Sequence, residues 1–356
     1  MNQLDSHNVV PVTLENALAR GRRNNFDLVR LALAVAVVIS HAWPLALGPG
    51  AREPLEGIFP VSLGGSAVLL FFFISGLLVT ASAHRPDQGL ADFAIARAAR
   101  IVPGLAVALG LTAIAFAGFA DAAYSLTVAE DYILRGLALV SPLHEVPGLF
   151  TENPYPLAPN GPLWTLFYEV ACYGLLALAV RFGLLATTTG WILSGLGIAL
   201  LCACSQTTSM PDGPIGYRLA TGAPLGLAFY AGALCWRLRA TLLVDWRLGA
   251  LLWIGSIAAG PSETVLPLYT IALGYLALLL AYRTPTIALG GDISYGVYIY
   301  GWPLAQMTVA LVGEIDPIVL ATLSTLAVLP VAVASWFLVE RPALSLASRP
   351  ARPAIG

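Results

Sequence analysis

The sequence predicts an all-α, polytopic membrane protein with about ten transmembrane helices and both termini in the cytoplasm. Three observations predict this class: the composition, the number of long apolar segments and the distribution of the arginines. Of the 356 residues, 58% are hydrophobic and 11% are charged, whereas soluble domains carry about 25% charged residues. The chain therefore lacks the polar residues needed to cover soluble domains. A net charge of −2 also argues against a nucleic-acid-binding protein.

Ten apolar segments are candidates for membrane spans, each of which needs about 20 mostly apolar residues. They lie near 28–48, 61–82, 93–120, 161–182, 187–205, 218–237, 247–260, 265–282, 292–313 and 317–339. The seventh is the weakest, because it is short and flanked by Arg247 and Pro261. The residues before the first segment are polar, so we expect no cleavable signal peptide and assign that segment as an uncleaved anchor.

The arginines predict the orientation, because cytoplasmic loops of membrane proteins are enriched in basic residues. With the N-terminus in the cytoplasm and ten alternating spans, only Arg52, Arg135 and Arg218 fall on the external side, where most of the acidic residues also lie. The resulting organisation is a cytoplasmic segment at 1–26, a membrane domain at 27–342 and a cytoplasmic tail at 343–356.

The longest predicted loop is external and comprises residues 121–160. It contains a predicted interfacial helix at 130–141 and then a stretch rich in proline and aromatic residues from Pro154. Long ordered loops are uncommon unless they serve a site. The segment is therefore either a lid or acceptor platform, or a passive cap over the helix ends.

The first apolar segment carries two ionisable residues, Arg30 and His41. Eleven helical residues turn the chain by about 1100°, so the two side chains share one face and lie about 16 Å apart. Ionisable groups within a membrane tend to be functional, and a neutral imidazole is a suitable general base near neutral pH. The alternative is a hydrogen-bonded histidine with a structural role.

Glu169 is the acidic residue in the middle of the fourth segment. If that helix starts near Gly161, Glu169 lies about 12 Å from its end, and His41 lies about 10 Å from the end of its own helix near Gly48. At similar depths, the carboxylate could orient the imidazole and stabilise its protonated form. The alternative is that Glu169 pairs with helix backbone or an arginine.

Two arginines, Arg97 and Arg100, lie at the start of the third segment. A spacing of three places both on one helix face. Guanidinium groups match the geometry of phosphate oxygens, which favours an anionic ligand. The alternative is that both arginines anchor the helix to lipid head groups.

The ninth segment opens with the stretch from Asp292 to Pro303, which contains three tyrosines, a tryptophan and two glycines. Ser294, Tyr295 and Tyr298 supply hydroxyl groups, and the glycines and the proline predict a wide groove. An aromatic belt at the membrane interface explains the tyrosines as well, but it does not explain the glycines or the proline.

Six motifs in this order carry a resemblance to a known family. They are Asn25 to Arg30 followed by His41, Phe71 to Leu78, Arg97 to Pro103, Asn160 to Glu169, Ser294 to Tyr298, and Glu340-Arg341-Pro342. With them the chain resembles the integral-membrane acyltransferase family 3, whose members include bacterial polysaccharide O-acetyltransferases. Many relatives have a histidine where this chain has Gly301, so the resemblance implies no second catalytic histidine here.

The resemblance implies a role for each group of residues. His41 would be the catalytic base or a transient acyl carrier, with Glu169 in support. The cofactor-binding residues would be Arg30, Arg97 and Arg100, which would contact acetyl-CoA or another acyl-CoA donor. Substrate-binding residues would be Asn160, Trp164, Ser294, Tyr295 and Tyr298. No metal is implied.

The resulting hypothesis is an O-acyltransferase, with acetyl as the expected group, in a bacterial inner membrane. It would move the acyl group from cytoplasmic acyl-CoA to a hydroxyl of a cell-surface or lipid-linked glycan. Its partners would be that acceptor, membrane lipids and polysaccharide assembly machinery. One alternative is a transporter or flippase that moves a lipid-linked sugar or small anion through Arg30, His41 and Glu169. The other is a structural subunit of a polysaccharide export complex.

Overall fold

The protein is mostly helical in a computed structural model that describes residues 12–21, 23–85, 89–139, 145–206 and 212–347. The helices are α1 (Leu14–Leu18), α2 (Phe26–Leu47), α3 (Leu63–Ala83), α4 (Leu90–Phe116), α5 (Leu126–Ala138), α6 (Trp164–Arg181), α7 (Thr188–Ser205), α8 (Pro214–Arg237), α9 (Trp246–Ala259), α10 (Leu266–Tyr282), α11 (Ser294–Val312), α12 (Pro317–Ser335) and α13 (Arg341–Ala347). Two short strands, β1 (Val12–Thr13) and β2 (Leu243–Val244), pair with each other.

The ten apolar segments that the sequence predicts all coincide with helices. Within the described residues, seven helical segments have the length and hydropathy of a membrane span. They are Phe26–Leu47, Leu63–Ala83, Leu90–Phe116, Gly161–Arg181, Thr188–Ser205, Pro214–Arg237 and Pro317–Ala347. Helices α9 and α10 are shorter apolar helices. The structure thus agrees with a polytopic membrane protein, and the count of ten spans stays a prediction.

The chain forms two compact units. Among the described residues, unit one comprises 12–21, 23–37, 53–85, 168–206 and 212–290, and unit two comprises 38–52, 89–139, 145–167 and 291–347. Helix α2 belongs to unit one through Val37 and to unit two from Val38, and α6 changes unit after Phe167. His41 therefore lies in unit two, whereas Arg30 lies in unit one.

Unit one is built around the close packing of α3 and α8. A Cβ atom at Gly76 would overlap the carbonyl oxygen of Phe229, and a Cβ atom at Gly232 would overlap that of Phe73. Small residues let membrane helices approach until their backbones touch. The two glycines thus hold α3 and α8 together by direct backbone contact.

The N-terminal part of unit one has more structure than the sequence predicts. Strand β1 pairs antiparallel with β2, and in α1 the side chains of Leu14 and Ala17 are fully buried. Asn25 then links this part to the chain after α10, since its amide donates to Thr284 Oγ1 (2.8 Å) and its Oδ1 accepts from the N–H of Ile287 (2.8 Å). Residues 12–21 and 23–25 are therefore an integral part of unit one.

Helix α11 is the centre of unit two and is buried over most of its length. A Cβ atom at Gly296 would lie 2.9 Å from Cα of Ala332, and one at Gly301 would lie 2.5 Å from Cγ2 of Val38. The helix also continues through Pro303. The glycines therefore allow close helix packing and do not open the groove that the sequence suggests. A histidine at position 301 would require Val38 to move.

The external loop of the sequence prediction contains α5, a helix expected there with slightly different bounds. It begins after Ser125, whose hydroxyl accepts from the N–H of Val128 (3.3 Å), and it ends at Ala138. The hydroxyl groups of Tyr132 and Thr112 lie 3.2 Å apart. Burial raises the pKa of Tyr132 well above its ordinary value, so this hydroxyl stays protonated and holds α5 against α4.

Candidate functional site

His41 lies in the second half of α2 and packs edge-to-face against the indole of Trp302 in α11. The ring centroids are 4.9 Å apart and the ring planes are inclined by 76°. The histidine is half-buried, and its neighbours Ala42 and Leu45 belong to an apolar cluster that also contains Trp302 and Ala305. The imidazole therefore sits at the edge of an apolar core.

The indole of Trp302 is held from several sides. Its Nε1 donates to the carbonyl oxygen of Ala158 (3.1 Å), and its ring makes a second edge-to-face contact with Tyr155, at 5.3 Å between centroids. A Cβ atom at Gly161 would lie 2.8 Å from Cζ3 of the indole. A glycine at that position therefore allows the chain before α6 to lie directly against Trp302.

A buried amide one turn later on α11 holds the same segment. The Gln306 side chain is completely buried and donates to the carbonyl oxygens of Tyr155 (2.8 Å) and Ala158 (3.0 Å). The Asn153 amide in turn donates to Gln306 Oε1 (2.8 Å). These hydrogen bonds fix residues 153–158 to α11, because breaking them would leave buried polar groups without partners.

Asn160 and Tyr298, two of the predicted substrate-binding residues, join the start of α6 to α11. The Asn160 amide donates to the carbonyl oxygen of Ile299 (2.8 Å). The Tyr298 hydroxyl lies 2.6 Å from that of Thr165 and donates to the carbonyl oxygen of Pro162 (3.0 Å). Asn160 and Tyr298 are both buried. Their polar groups thus serve contacts between these elements in this structure.

The other predicted substrate-binding residues lie at helix starts. Trp164 is the first residue of α6 and is half-buried. Ser294 begins α11, and its N–H (3.3 Å) and hydroxyl (2.5 Å) both donate to Asp292 Oδ1. The hydroxyl of Tyr295 donates to the carbonyl oxygen of Ile101 in α4 (2.9 Å). Ser294 and Tyr295 therefore hold the start of α11 in place.

Arg100 makes an ion pair that the sequence does not indicate. Its guanidinium donates to Asp292 Oδ2 and lies over the ring of Tyr295, 5.8 Å from the centroid. Arg97, one turn earlier on α4, lies over the ring of Phe93 at 6.0 Å. The predicted pair of arginines thus shares one helix, and Arg100 already has a carboxylate partner.

Glu340 is a further buried acid in this region, and it belongs to one of the six motifs although no site role is predicted for it. It is 1% exposed and accepts from the Ser335 hydroxyl at Oε1 (2.9 Å). A Cβ atom at Gly104 would contact both Glu340 Cγ (3.3 Å) and the Tyr295 ring (2.9 Å). Glu340 also lies within electrostatic range of Arg100. The signal for it was an acidic residue at the end of the last apolar segment.

The two remaining predicted site residues belong to unit one. Arg30 donates to Asp27 Oδ1 (2.6 Å), one turn earlier on α2. Glu169 accepts a hydrogen bond from the hydroxyl of Tyr173, one turn later on α6. The roles of Arg30 and Glu169 beside His41 stay predictions from the sequence.

Two further features concern ligands. Unit one has a cavity of about 220 Å³ between Pro60, Val61 and residues of α7, α8 and α10, and no predicted site residue is among those that line it. Among the described residues, no three His, Cys, Asp or Glu side chains are grouped so that they could hold a metal ion.

Comparison with known proteins gives the family. A family model described as an acyltransferase domain matches residues 23–337. The chain belongs to the acyltransferase 3 family. The resemblance that the six motifs carry is therefore confirmed over nearly the whole chain, and the protein is an enzyme that transfers acyl groups.

Two curated relatives extend over almost the same length. The chain is 27% identical to nodulation protein 10 of Rhizobium leguminosarum bv. viciae, across 93% of this chain and 96% of that protein. It is 29% identical to an O-acetyl transferase of Shigella phage Sf6, across 92% of this chain and 98% of that protein. No solved structure matches the chain.

Proposed function

We propose that the protein is a membrane O-acetyltransferase that moves an acetyl group from acetyl-CoA to a hydroxyl group of a cell-surface or lipid-linked glycan. The observation that carries the proposal is the position of His41, half-buried against Trp302 in the unit that also holds Arg97 and Arg100. The family and the phage relative named as an O-acetyl transferase support the reaction type. We further propose ten spans in a bacterial inner membrane, with both termini in the cytoplasm.

His41 would act on the acceptor hydroxyl. As a base, a neutral ring nitrogen takes the hydroxyl proton while the oxygen attacks the thioester carbonyl carbon. The carbon–sulfur bond then breaks, and the leaving sulfur receives the proton from the imidazolium. As an acyl carrier, the same nitrogen attacks the thioester carbonyl, and the leaving sulfur takes the proton of the other ring nitrogen, which gives the thiol and an acyl-imidazole. The acceptor oxygen then displaces the imidazole, and the ring receives the hydroxyl proton and returns to its neutral form. The proposal includes both routes.

The arginines of α4 would bind the phosphates of the donor. A guanidinium carries five N–H donors, and the hydrogen bond of Arg100 to Asp292 is made by Nη2. A phosphate would compete with Asp292 for Arg100, and Arg97, one turn earlier on the same helix, would supply a second guanidinium to the same phosphates. Arg30 is proposed as a further donor contact and Glu169 as a group that orients the imidazole.

The acceptor would lie against the segment at 145–160. Of the predicted substrate-binding residues, Trp164 is the one that we propose to contact it directly. Because Asn160, Ser294, Tyr295 and Tyr298 all make structural hydrogen bonds, we propose that they shape the walls of the site. The partners of the reaction are then the glycan acceptor, membrane lipids and the machinery that assembles the polysaccharide.

Purified protein in detergent tests this function. We expect labelled acetyl-CoA and a glycolipid extract of the producing bacterium to give acetylated glycan in the absence of any membrane gradient. Mass spectrometry of surface glycans from cells with and without the chain should show the same acetyl group. A transporter or flippase would move its substrate across vesicles but give no acetylated product, and a structural subunit would bind no acetyl-CoA.

A further inference from the structure

Trp302 links His41 to the segment at 145–160. Its indole ring contacts the imidazole of His41, with 4.9 Å between the ring centroids, and the ring of Tyr155, with 5.3 Å between the centroids. Its indole N–H is bound to the carbonyl oxygen of Ala158. Aromatic edge contacts are directional, so the orientation of the indole constrains that of the imidazole.

We infer that Trp302 is a positioning residue, which holds the His41 imidazole in one orientation and is itself fixed by Gln306 through the carbonyl group of Ala158. The catalytic consequence of this inference rests on the proposed function of His41. The geometric part does not, because it concerns only how the ring of His41 is held.

Gln306 fixes the carbonyl group on which Trp302 depends. The oxygen of Ala158 accepts from both Trp302 Nε1 (3.1 Å) and Gln306 Nε2 (3.0 Å). Gln306 is completely buried, and its Oε1 accepts from Asn153 (2.8 Å). Both polar atoms of this amide thus make hydrogen bonds with residues of the segment. Loss of these bonds would leave a buried amide without partners, which costs folding free energy.

The backbone of the segment also favours one fixed conformation. Phe150 and Leu157 have positive φ angles of 51° and 61°, a region that residues other than glycine rarely adopt and that persists only where the surroundings impose it. Phe150 is 2% exposed. These contacts hold the segment in one conformation against Trp302, and both interpretations of the external loop, a lid or acceptor platform and a passive cap, stay predictions.

The substitution Trp302→Phe tests the geometric part. It keeps an aromatic ring but removes the N–H that binds Ala158. The probe is diethyl pyrocarbonate, which modifies histidine rings, applied to the full chain in detergent and read by mass spectrometry of each histidine peptide. His84 is the internal reference, because it lies in unit one against Trp236 at 4.1 Å between centroids.

Trp253→Phe is the matched control. Trp253 also makes two edge-to-face contacts, with Phe59 (6.4 Å) and Tyr269 (6.1 Å), but in unit one. We expect Trp302→Phe to raise the modification rate of His41 relative to His84 by about threefold or more, on the scale of one lost hydrogen bond. We expect Trp253→Phe to leave that ratio unchanged. An unchanged ratio in folded Trp302→Phe protein would overturn the inference.

Turnover of acetyl-CoA with the glycolipid extract separates positioning from general stability. Misplacing a reacting group lowers the rate of the chemical step, so Trp302→Phe should lower kcat by about tenfold and leave KM for acetyl-CoA within about twofold. Trp302→Leu, which removes the ring, should lower kcat further. A higher KM with an unchanged kcat would contradict a positioning role.

Gln306→Met provides an independent variant of similar size. It removes the donor that fixes the carbonyl group of Ala158 and keeps Trp302 itself. Because the indole then has a less fixed acceptor, the modification rate of His41 and kcat should change in the same direction as in Trp302→Phe. It also carries the test if Trp302→Phe does not yield folded protein. If His41 becomes more reactive while kcat stays unchanged, Trp302 positions the ring but the proposed catalytic role of His41 is wrong.

Discussion

The guanidinium of Arg100 is hydrogen-bonded to the carboxylate of Asp292, which ties α4 to the residues that begin α11. The two partners are 192 positions apart in the chain, and their side chains are 21% and 9% exposed. Asp292 Oδ1 also accepts from Ser294. This arrangement gives Arg100 a structural partner in addition to its proposed donor phosphate.

Replacement of Asp292 separates these two roles of Arg100. Asp292→Asn removes the charge that holds the guanidinium, and loss of a partly buried pair costs about 1–3 kcal/mol of the free energy of unfolding. If Arg100 also binds the donor, its release from Asp292 should lower KM for acetyl-CoA. Thermal unfolding and steady-state kinetics on the same preparation measure both. A lower stability with an unchanged KM would mean that Arg100 is only structural.

Arg97 is expected to bind a donor phosphate. A hydrogen bond to a charged group contributes about 1.5–3 kcal/mol, so Arg97→Ala should raise KM for acetyl-CoA by about tenfold or more. If Arg97 contacts the 3′-phosphate, the same substitution should raise KM less with 3′-dephospho-acetyl-CoA as the donor. That donor already lacks the phosphate, so removal of the arginine then breaks no further interaction.

Arg135→Ala is the control for Arg97. Arg135 lies in α5, is about half exposed and pairs with Asp131 at 2.8 Å one turn away. Exposed pairs contribute little, so its KM should match that of the unmodified protein. An equal KM in Arg97→Ala and Arg135→Ala would contradict the phosphate role and leave the lipid-anchoring interpretation.

Glu169 is predicted to stabilise the protonated form of His41. On this prediction Glu169→Gln lowers the basicity of the imidazole, so kcat falls by about tenfold or more and the acidic limb of its pH profile moves to lower pH. Tyr173→Phe removes the observed hydrogen bond to Glu169 but keeps the carboxylate, and should leave that limb in place. Equal profiles for Glu169→Gln and the unmodified protein would refute the role.

The packing of α3 against α8 can be tested with two glycines of the same helix. A Cβ atom at Gly232 would overlap the backbone of Phe73, whereas one at Gly226 would have no neighbour within 4 Å. Gly232→Ala should therefore destabilise the protein by about 1–3 kcal/mol, and Gly226→Ala should be neutral or slightly stabilising. Thermal unfolding in detergent measures the difference, and equal effects would contradict the direct backbone contact.

The sequence predicts most of the helices, because each apolar segment carries its own signal of length and hydropathy. It does not predict β1 and α1, since a polar N-terminal stretch becomes buried only through its pairing with Leu243–Val244. The groove expected along α11 is absent because Gly296 and Gly301 pack against α12 and α2. Local composition cannot show which neighbour a glycine meets.

The candidate site was predictable in its residue types but not in its contacts. His41, Arg97 and Arg100 stand out because ionisable groups in apolar segments are costly. The partners of His41 and Arg100, which are Trp302 and Asp292, come from elements far away in the chain. Gln306 carries no charge and lies in a region that the sequence marks only by its aromatic residues, so its role appears only once Ala158 is placed.

The most direct test of the account is glycan acetylation in cells that produce His41→Ala at the membrane level of the unmodified protein. His84→Gln, which changes a histidine of unit one, serves as the control. Mass spectrometry of the surface glycan should show acetyl groups with the unmodified protein and with His84→Gln, and none with His41→Ala. Acetylation retained in His41→Ala would contradict the central claim that this imidazole performs the transfer.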